Sequence, residues 1–131
     1  MSVPARRCQR LPEPPYIAVI FTAVRAAREG DGYAEVAARM ETLAAAQPGY
    51  LGLEAARDPD GFGQTVSYWR TREDATAWKQ IVEHRGAQAR GLGGWYSDYT
   101  VRIAQVVDAY DMDSPRVAAD PGDRGDPAGA S

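Results

Sequence analysis

The sequence predicts an α+β domain in the order β-α-β-β-α-β, the ferredoxin-like arrangement, in which an antiparallel sheet carries two helices on one face. Three observations predict it. The stretch YIAVIFTAVR at 16–25 is apolar on both of its alternating faces. Two longer stretches, beginning at Gly32 and Thr71, carry apolar residues at three- and four-residue steps. Between them, two short alternating runs flank the turn signal AspProAspGly at 58–61.

Taken in order, residues 1–15 hold Pro12, Pro14 and Pro15, which disfavour helix and favour extended chain, so a flexible arm is expected. In the strand at 16–25, Ile17, Val19, Phe21 and Ala23 face one way, and Ala18, Ile20, Thr22 and Val24 the other. A strand apolar on both faces belongs in the middle of a sheet covered on both sides. The stretch 32–47 aligns Tyr33, Val36, Ala37, Met40, Leu43 and Ala44 on one helical stripe, with Asp31 placed to cap its start and Pro48-Gly49 to end it. Strands at 50–57 and 63–70 form a hairpin across the turn. Thr71-Arg-Glu-Asp74 reads as a capping box, opening a helix with Ala75, Trp78, Ile81 and Val82 on its inner face. At the α-helical repeat, His84 falls roughly 110° from the centre of that face, at the rim between core and solvent. Glycines at 91, 93 and 94 loosen the chain before Trp95 and Tyr96, and a last strand is expected over 99–110. The domain is thus bounded at 16–112. The Pro-, Gly- and Asp-rich segment 113–131 has too few apolar residues to pack and is expected to be a disordered acidic tail. Two helices cover only one sheet face, so a second copy of the sheet is the natural cover for the other, which predicts a homodimer.

Composition narrows the function classes. The chain has 131 residues and a net charge of −3. That suits one domain and argues against nucleic acid as a partner, which calls for a basic face. No apolar run has the length of a membrane span. The first fifteen residues carry arginines without an apolar stretch behind them, so no secretory leader is expected and a cytoplasmic location is. The single cysteine, Cys8, excludes an intrachain disulfide, and no Cys/His spacing suggests zinc.

The aromatic distribution points to a site. All three tryptophans and the only histidine fall between Thr65 and Tyr99. Large rings bury much area and carry polar handles, and His is the one side chain whose ordinary pKa lies near neutrality. Within the opening strand, QPGYLGLEAAR, TVSYWRTREDATAW, the run from Trp78 through Glu83-His84 to Gly91, and Trp95-Tyr96 with Tyr99, the chain resembles the antibiotic biosynthesis monooxygenase (ABM) superfamily. The resemblance spans roughly residues 16–110. It implies a dimeric α+β barrel with a pocket between helices and sheet. Members of that family include cofactor-free oxygenases of polyketide phenols, haem-degrading monooxygenases and many proteins of no known activity, so the resemblance alone does not choose the function. The haem-degrading pattern has an Asn on the first strand, a Trp in the second helix and a His about ten residues later. Trp78 matches that Trp; Gln88 stands where the His would be, and Phe21 and Thr22 occupy the region of the Asn.

The candidate catalytic residue is His84, as base or hydrogen-bond partner of the substrate. Trp78, Trp69, Tyr68, Trp95, Tyr96, Phe21, Thr22 and Gln88 are candidate substrate-binding residues. Of Tyr68 and Trp69, one should face the helices and the other the second copy. Trp95 and Tyr96 after the glycines either anchor a loop onto the core or close the pocket mouth. Arg25, Arg57, Glu54 and Arg102 can form ion pairs or orient an acidic substrate. The first functional reading is a monooxygenase that needs no cofactor and acts on an aromatic small molecule. The alternatives are a haem-binding or haem-degrading protein with His84 as ligand, and a non-catalytic dimeric binding or accessory protein.

Overall fold

The computed structural model describes residues 8–26, 32–90 and 96–114, with the backbone alone for 85–90. The elements are β1 (Tyr16–Arg25), α1 (Tyr33–Ala45), β2 (Tyr50–Arg57), β3 (Phe62–Trp69), α2 (Arg72–Arg90) and β4 (Tyr96–Val106). They form one four-stranded sheet in the order β2-β3-β1-β4, with every neighbouring pair antiparallel. This is the ferredoxin-like topology that the sequence pattern predicts, and β1 is central as its two apolar faces require.

Register assigns the faces, because directly opposed residues share one. Val19 lies opposite Ser67 and Ile103, and Ile17 opposite Trp69. The inner face, toward the helices, therefore carries Ile17, Val19, Phe21 and Ala23 of β1, Ser67 and Trp69 of β3, and Val101 and Ile103 of β4. The core is Val19, Ala44, Trp69, Ala75 and Trp78, with Met40, Leu43, Leu53, Ile81 and Val82 packed against it. Trp69 thus faces the helices and Tyr68 the outer side.

Local chemistry explains the boundaries. Asp58 Oδ1 accepts from the backbone N–H of Asp60 and of Phe62 at 2.9 and 3.0 Å, which ties the β2–β3 turn with Gly61 at φ 96°. Thr71 Oγ1 accepts from Asp74 N–H at 3.0 Å and donates to Asp74 Oδ2 at 2.9 Å, completing the capping box at the start of α2. Gly32 occupies the N-cap of α1 without a side-chain cap; Asp31 lies outside the described residues. Helix α2 continues past Gly86 to Arg90. Strand β4 begins at Tyr96 instead of 99, because Tyr96 pairs with Arg25 beyond a bulge, and it ends at Val106, opposite the first residue of β1, Tyr16.

Of the arm expected over 1–15, residues 8–15 are described, and they are held to the outer sheet face. Gln9 N–H donates to Glu54 Oε2 at 2.9 Å. Arg10 reaches the segment after β4, pairing with Asp113 at 2.9 Å and Asp111 at 3.5 Å. Most of the tail expected over 113–131 lies outside the described residues. No helix is long and apolar enough to cross a membrane among the described residues.

Candidate functional site

The predicted site residues do not converge. The structure distributes them over four places, the last of them the outer sheet face with Tyr68 and Thr22, and Trp95 and the Gln88 side chain lie outside what it describes.

The first place is the sealed core. The Trp69 and Trp78 rings stack with centroids 5.6 Å apart, and Tyr50 meets Trp69 edge-on at 5.7 Å. Trp69 has no exposed surface. Its indole N–H donates to Ser67 Oγ at 2.9 Å, so the polar handle is satisfied inside the protein. These rings fill the space between α2 and the sheet, where the resemblance places a pocket. Both tryptophans, expected to contact a substrate, are buried in the core cluster here.

The second place is the outside of the helix layer. His84 is exposed and borders an open groove between α1 and α2 with Leu43, Ala77, Gln80 and Ile81, a space of about 520 Å³. Its rim position on α2 is as expected, but the rim belongs to this outer groove, because α2 turns Trp78 inward and His84 away from the sheet. This also bears on haem. A haem needs a slot beside its ligand, and the interior next to Trp78 is filled by Trp69. The described residues therefore do not fit a haem held between helix and sheet with His84 as its ligand.

The third place is the end of the inner sheet face where β1 finishes and β4 begins. Four rings meet there. Phe21 contacts Tyr96 at 5.2 Å and Tyr99 at 5.6 Å between centroids, and Tyr33, on the first turn of α1, meets Tyr96 edge-on at 5.9 Å. Two guanidinium groups join them. The Arg25 guanidinium carbon lies 3.8 Å from the centroid of the Tyr33 ring, a cation–π contact worth roughly 0.5–2 kcal/mol depending on its exposure. Arg57 Nη2 donates to the Tyr33 hydroxyl at 3.2 Å, while its Nη1 donates to the carbonyls of Gly61 and Ala23. Tyr96 in turn donates to the Tyr33 oxygen at 3.3 Å. Burial, then the hydrogen bond to Tyr33, pushes the Tyr96 phenol well above its ordinary pKa, so at neutral pH it is a donor and never a base. Tyr99 is 49% exposed, which leaves one ring of the group facing solvent.

Phe21 and Tyr96 were expected at the site and are both here. Tyr96 opens a strand, however, and does not sit on a lid, because it is paired to Arg25. Tyr68 is on the other sheet face, where it donates to Glu54 Oε1 at 2.8 Å and packs edge-on against Tyr16; burial and the bond to Glu54 hold its phenol high as well. Thr22 is also on that face, its hydroxyl accepting from Gln64 at 3.0 Å. The Gln88 side chain and Trp95 lie outside the described residues. Sequence reasoning treated Tyr33 as one more residue of the core stripe and passed over Tyr99. The available signal was a tyrosine, not an aliphatic residue, at the start of α1, with Arg25 at the end of the preceding strand.

The comparisons with known proteins agree with this architecture. A family model described as antibiotic biosynthesis monooxygenase matches residues 15–90. The uncharacterized protein YqjZ of Bacillus subtilis is 47% identical over 97 residues, covering 74% of this chain and 84% of YqjZ. Among solved structures, SnoaB of Streptomyces nogalater, a cofactor-independent oxygenase, superposes with a TM-score of 0.54 at 14% identity over 76% of this chain and 98% of SnoaB. PA3566 of Pseudomonas aeruginosa does so with a TM-score of 0.52 at 18% identity over 76% of this chain and 99% of its own. At such identities the structural likeness is one of fold. With the family model spanning more than half of the sequence, the chain belongs to the antibiotic biosynthesis monooxygenase family.

Proposed function

We propose that this protein is a monooxygenase that oxidises an electron-rich aromatic small molecule without a bound cofactor, as a homodimer. The observation that carries the reading is the group at the end of the inner face: four aromatic rings with two guanidinium groups and three phenol hydroxyls among them. Rings offer stacking surface to a planar substrate, and the cations lower the cost of negative charge on it. Negative charge is what the chemistry needs. A phenol loses its proton to become a phenolate, which passes one electron to O2. The two radicals combine into a carbon–oxygen bond, and protonation gives a hydroperoxide. Loss of water from that carbon leaves a carbonyl. One oxygen atom of O2 thus ends in the product and the other in water, and the substrate supplies both electron pairs.

In this reading Arg25 and Arg57 stabilise the phenolate and the peroxide, Tyr96 holds Tyr33 in place as a neutral donor, and Phe21 and Tyr99 stack on the ring. His84, expected as the base, borders the groove between α1 and α2 and has no role in this reading. The test is turnover of a panel of hydroquinones and naphthols under 18O2, read by mass spectrometry. One labelled atom per product molecule is expected, lost in Arg57→Gln. No label in any product would overturn the reading in favour of a binding protein. The likeness in fold to SnoaB, a cofactor-independent oxygenase, supports this reading.

A further inference from the structure

We propose that residues 8–14 form an intramolecular strap that competes with a second copy of this chain for the outer face of the sheet. The proposal rests on the homodimer reading above, and three observations carry it.

The first is a seat. Gly52 of β2 faces outward, and a Cβ placed there would lie 2.5 Å from Gln9 Oε1 and 3.0 Å from Leu11 Cδ2. The arm therefore occupies the volume that any other residue at position 52 would fill. The second is an anchor beside that seat. Glu54 spends one carboxylate oxygen on Gln9 N–H and the other on the Tyr68 hydroxyl, so the arm is bonded to the same carboxylate that fixes the outer aromatic pair Tyr16–Tyr68. The third is a clip at the far side. Arg10 pairs with Asp113 and Asp111, and Asp111 holds its own turn by accepting from the N–H groups of Asp113 and Ser114.

The outer face shows the consequence. At the strapped end, Tyr16 and Ala18 are 6% and 4% exposed. Farther along the same face, Ile20, Thr22 and Val66 are only half-buried, and Arg102 and Gln64 are exposed; on β4, Ala104 beside Ala18 is exposed as well. Two sheets that pack face to face stand about 10 Å apart with their side chains interleaved. A polypeptide laid between them at the β2–β3 side does not fit in that gap. Either the strap holds this half of the face, or a second sheet does.

The test uses two full-length variants. Gly52→Val fills the seat with a residue that suits a strand. Arg10→Glu breaks the clip without touching the sheet, and so controls for the apolar surface that valine adds. Hydrogen exchange of the Gln9 amide reads strap release, and sedimentation across a concentration series reads the dimer. Faster exchange in both variants is expected, with dimer dissociation constants lowered about tenfold for Gly52→Val and about threefold for Arg10→Glu. Exchange as slow as in the parent chain would overturn the seat and clip. Faster exchange with dimer affinity unchanged or weakened would overturn the competition while leaving the homodimer standing. A monomer in all three proteins at every concentration would overturn both.

Discussion

Two aromatic groups occupy opposite ends of the inner sheet face, and the contrast between them separates packing from chemistry. The Trp69–Trp78–Tyr50 group is stacked, sealed and electrically quiet: its most buried polar handle, the Trp69 N–H, is satisfied by Ser67. The Phe21–Tyr33–Tyr96–Tyr99 group has smaller rings, one of them half-exposed, and carries two guanidinium groups within contact of Tyr33. Tryptophan draws the eye in a sequence because it is rare and large. Those same properties suit it to filling a core, whereas a site needs rings that stay partly open and charges that remain useful near them.

Breaking each group should have different consequences, and the largest effect is expected in the core. Trp69→Ala should lower unfolding free energy by about 3–5 kcal/mol, since truncating a fully buried tryptophan leaves a cavity. Urea denaturation followed by circular dichroism measures it. A loss under about 1 kcal/mol would mean that the ring is not the core residue it is here. At the other group, Tyr33→Phe should leave stability within about 1 kcal/mol yet reduce turnover of the phenol panel about tenfold, by removing the oxygen on which Arg57 and Tyr96 converge. Steady-state kinetics beside a melting curve distinguishes that outcome from simple unfolding.

A pH experiment sharpens the comparison further. Burial raises the phenols of Tyr96 and Tyr68 above the ordinary value of 10.0. The native state therefore holds these protons more tightly than the unfolded chain does. The stability they contribute is complete below about pH 10 and is lost as pH climbs above 10 toward the higher native values. Tyrosinate absorbance near 295 nm should consequently lag the free tyrosine titration and then rise with unfolding, and the Tyr68→Phe and Tyr96→Phe variants should each remove part of the lag. A titration matching free tyrosine at all pH values would contradict the burial of both hydroxyls. The smallest effect is expected from His84→Ala, within about twofold of parent turnover, because the residue faces the outer groove. A hundredfold loss would return His84 to the role of base and move the site out of the inner face.

Much of the fold was legible because its determinants are short-range. The two-residue alternation of 16–25, the three-and-four spacing of Trp78, Ile81 and Val82, the Asp58–Gly61 turn and the Thr71 capping box each act within a few residues, and each appears as read. The end of β4 was not legible, because only its pairing with Tyr16 stops it at Val106. The site was less legible still. His84 was legible as a rim residue of its helix, but which groove that rim borders depends on how α1 packs beside α2.

The sequence by itself determined the order of the elements, the central place of β1, and the family, since periodicity and local motifs carry that information. Tertiary structure alone decided which aromatics meet. Phe21, Arg25, Tyr33, Arg57, Tyr96 and Tyr99 come from three strands and a helix, and they are joined only because the antiparallel register sets the end of β1 against the start of β4 while α1 begins above it. The outer face was decided in the same way: nothing local to Gly52 says that Gln9 and Leu11 lie on it, since that contact exists only once the arm folds back across the sheet.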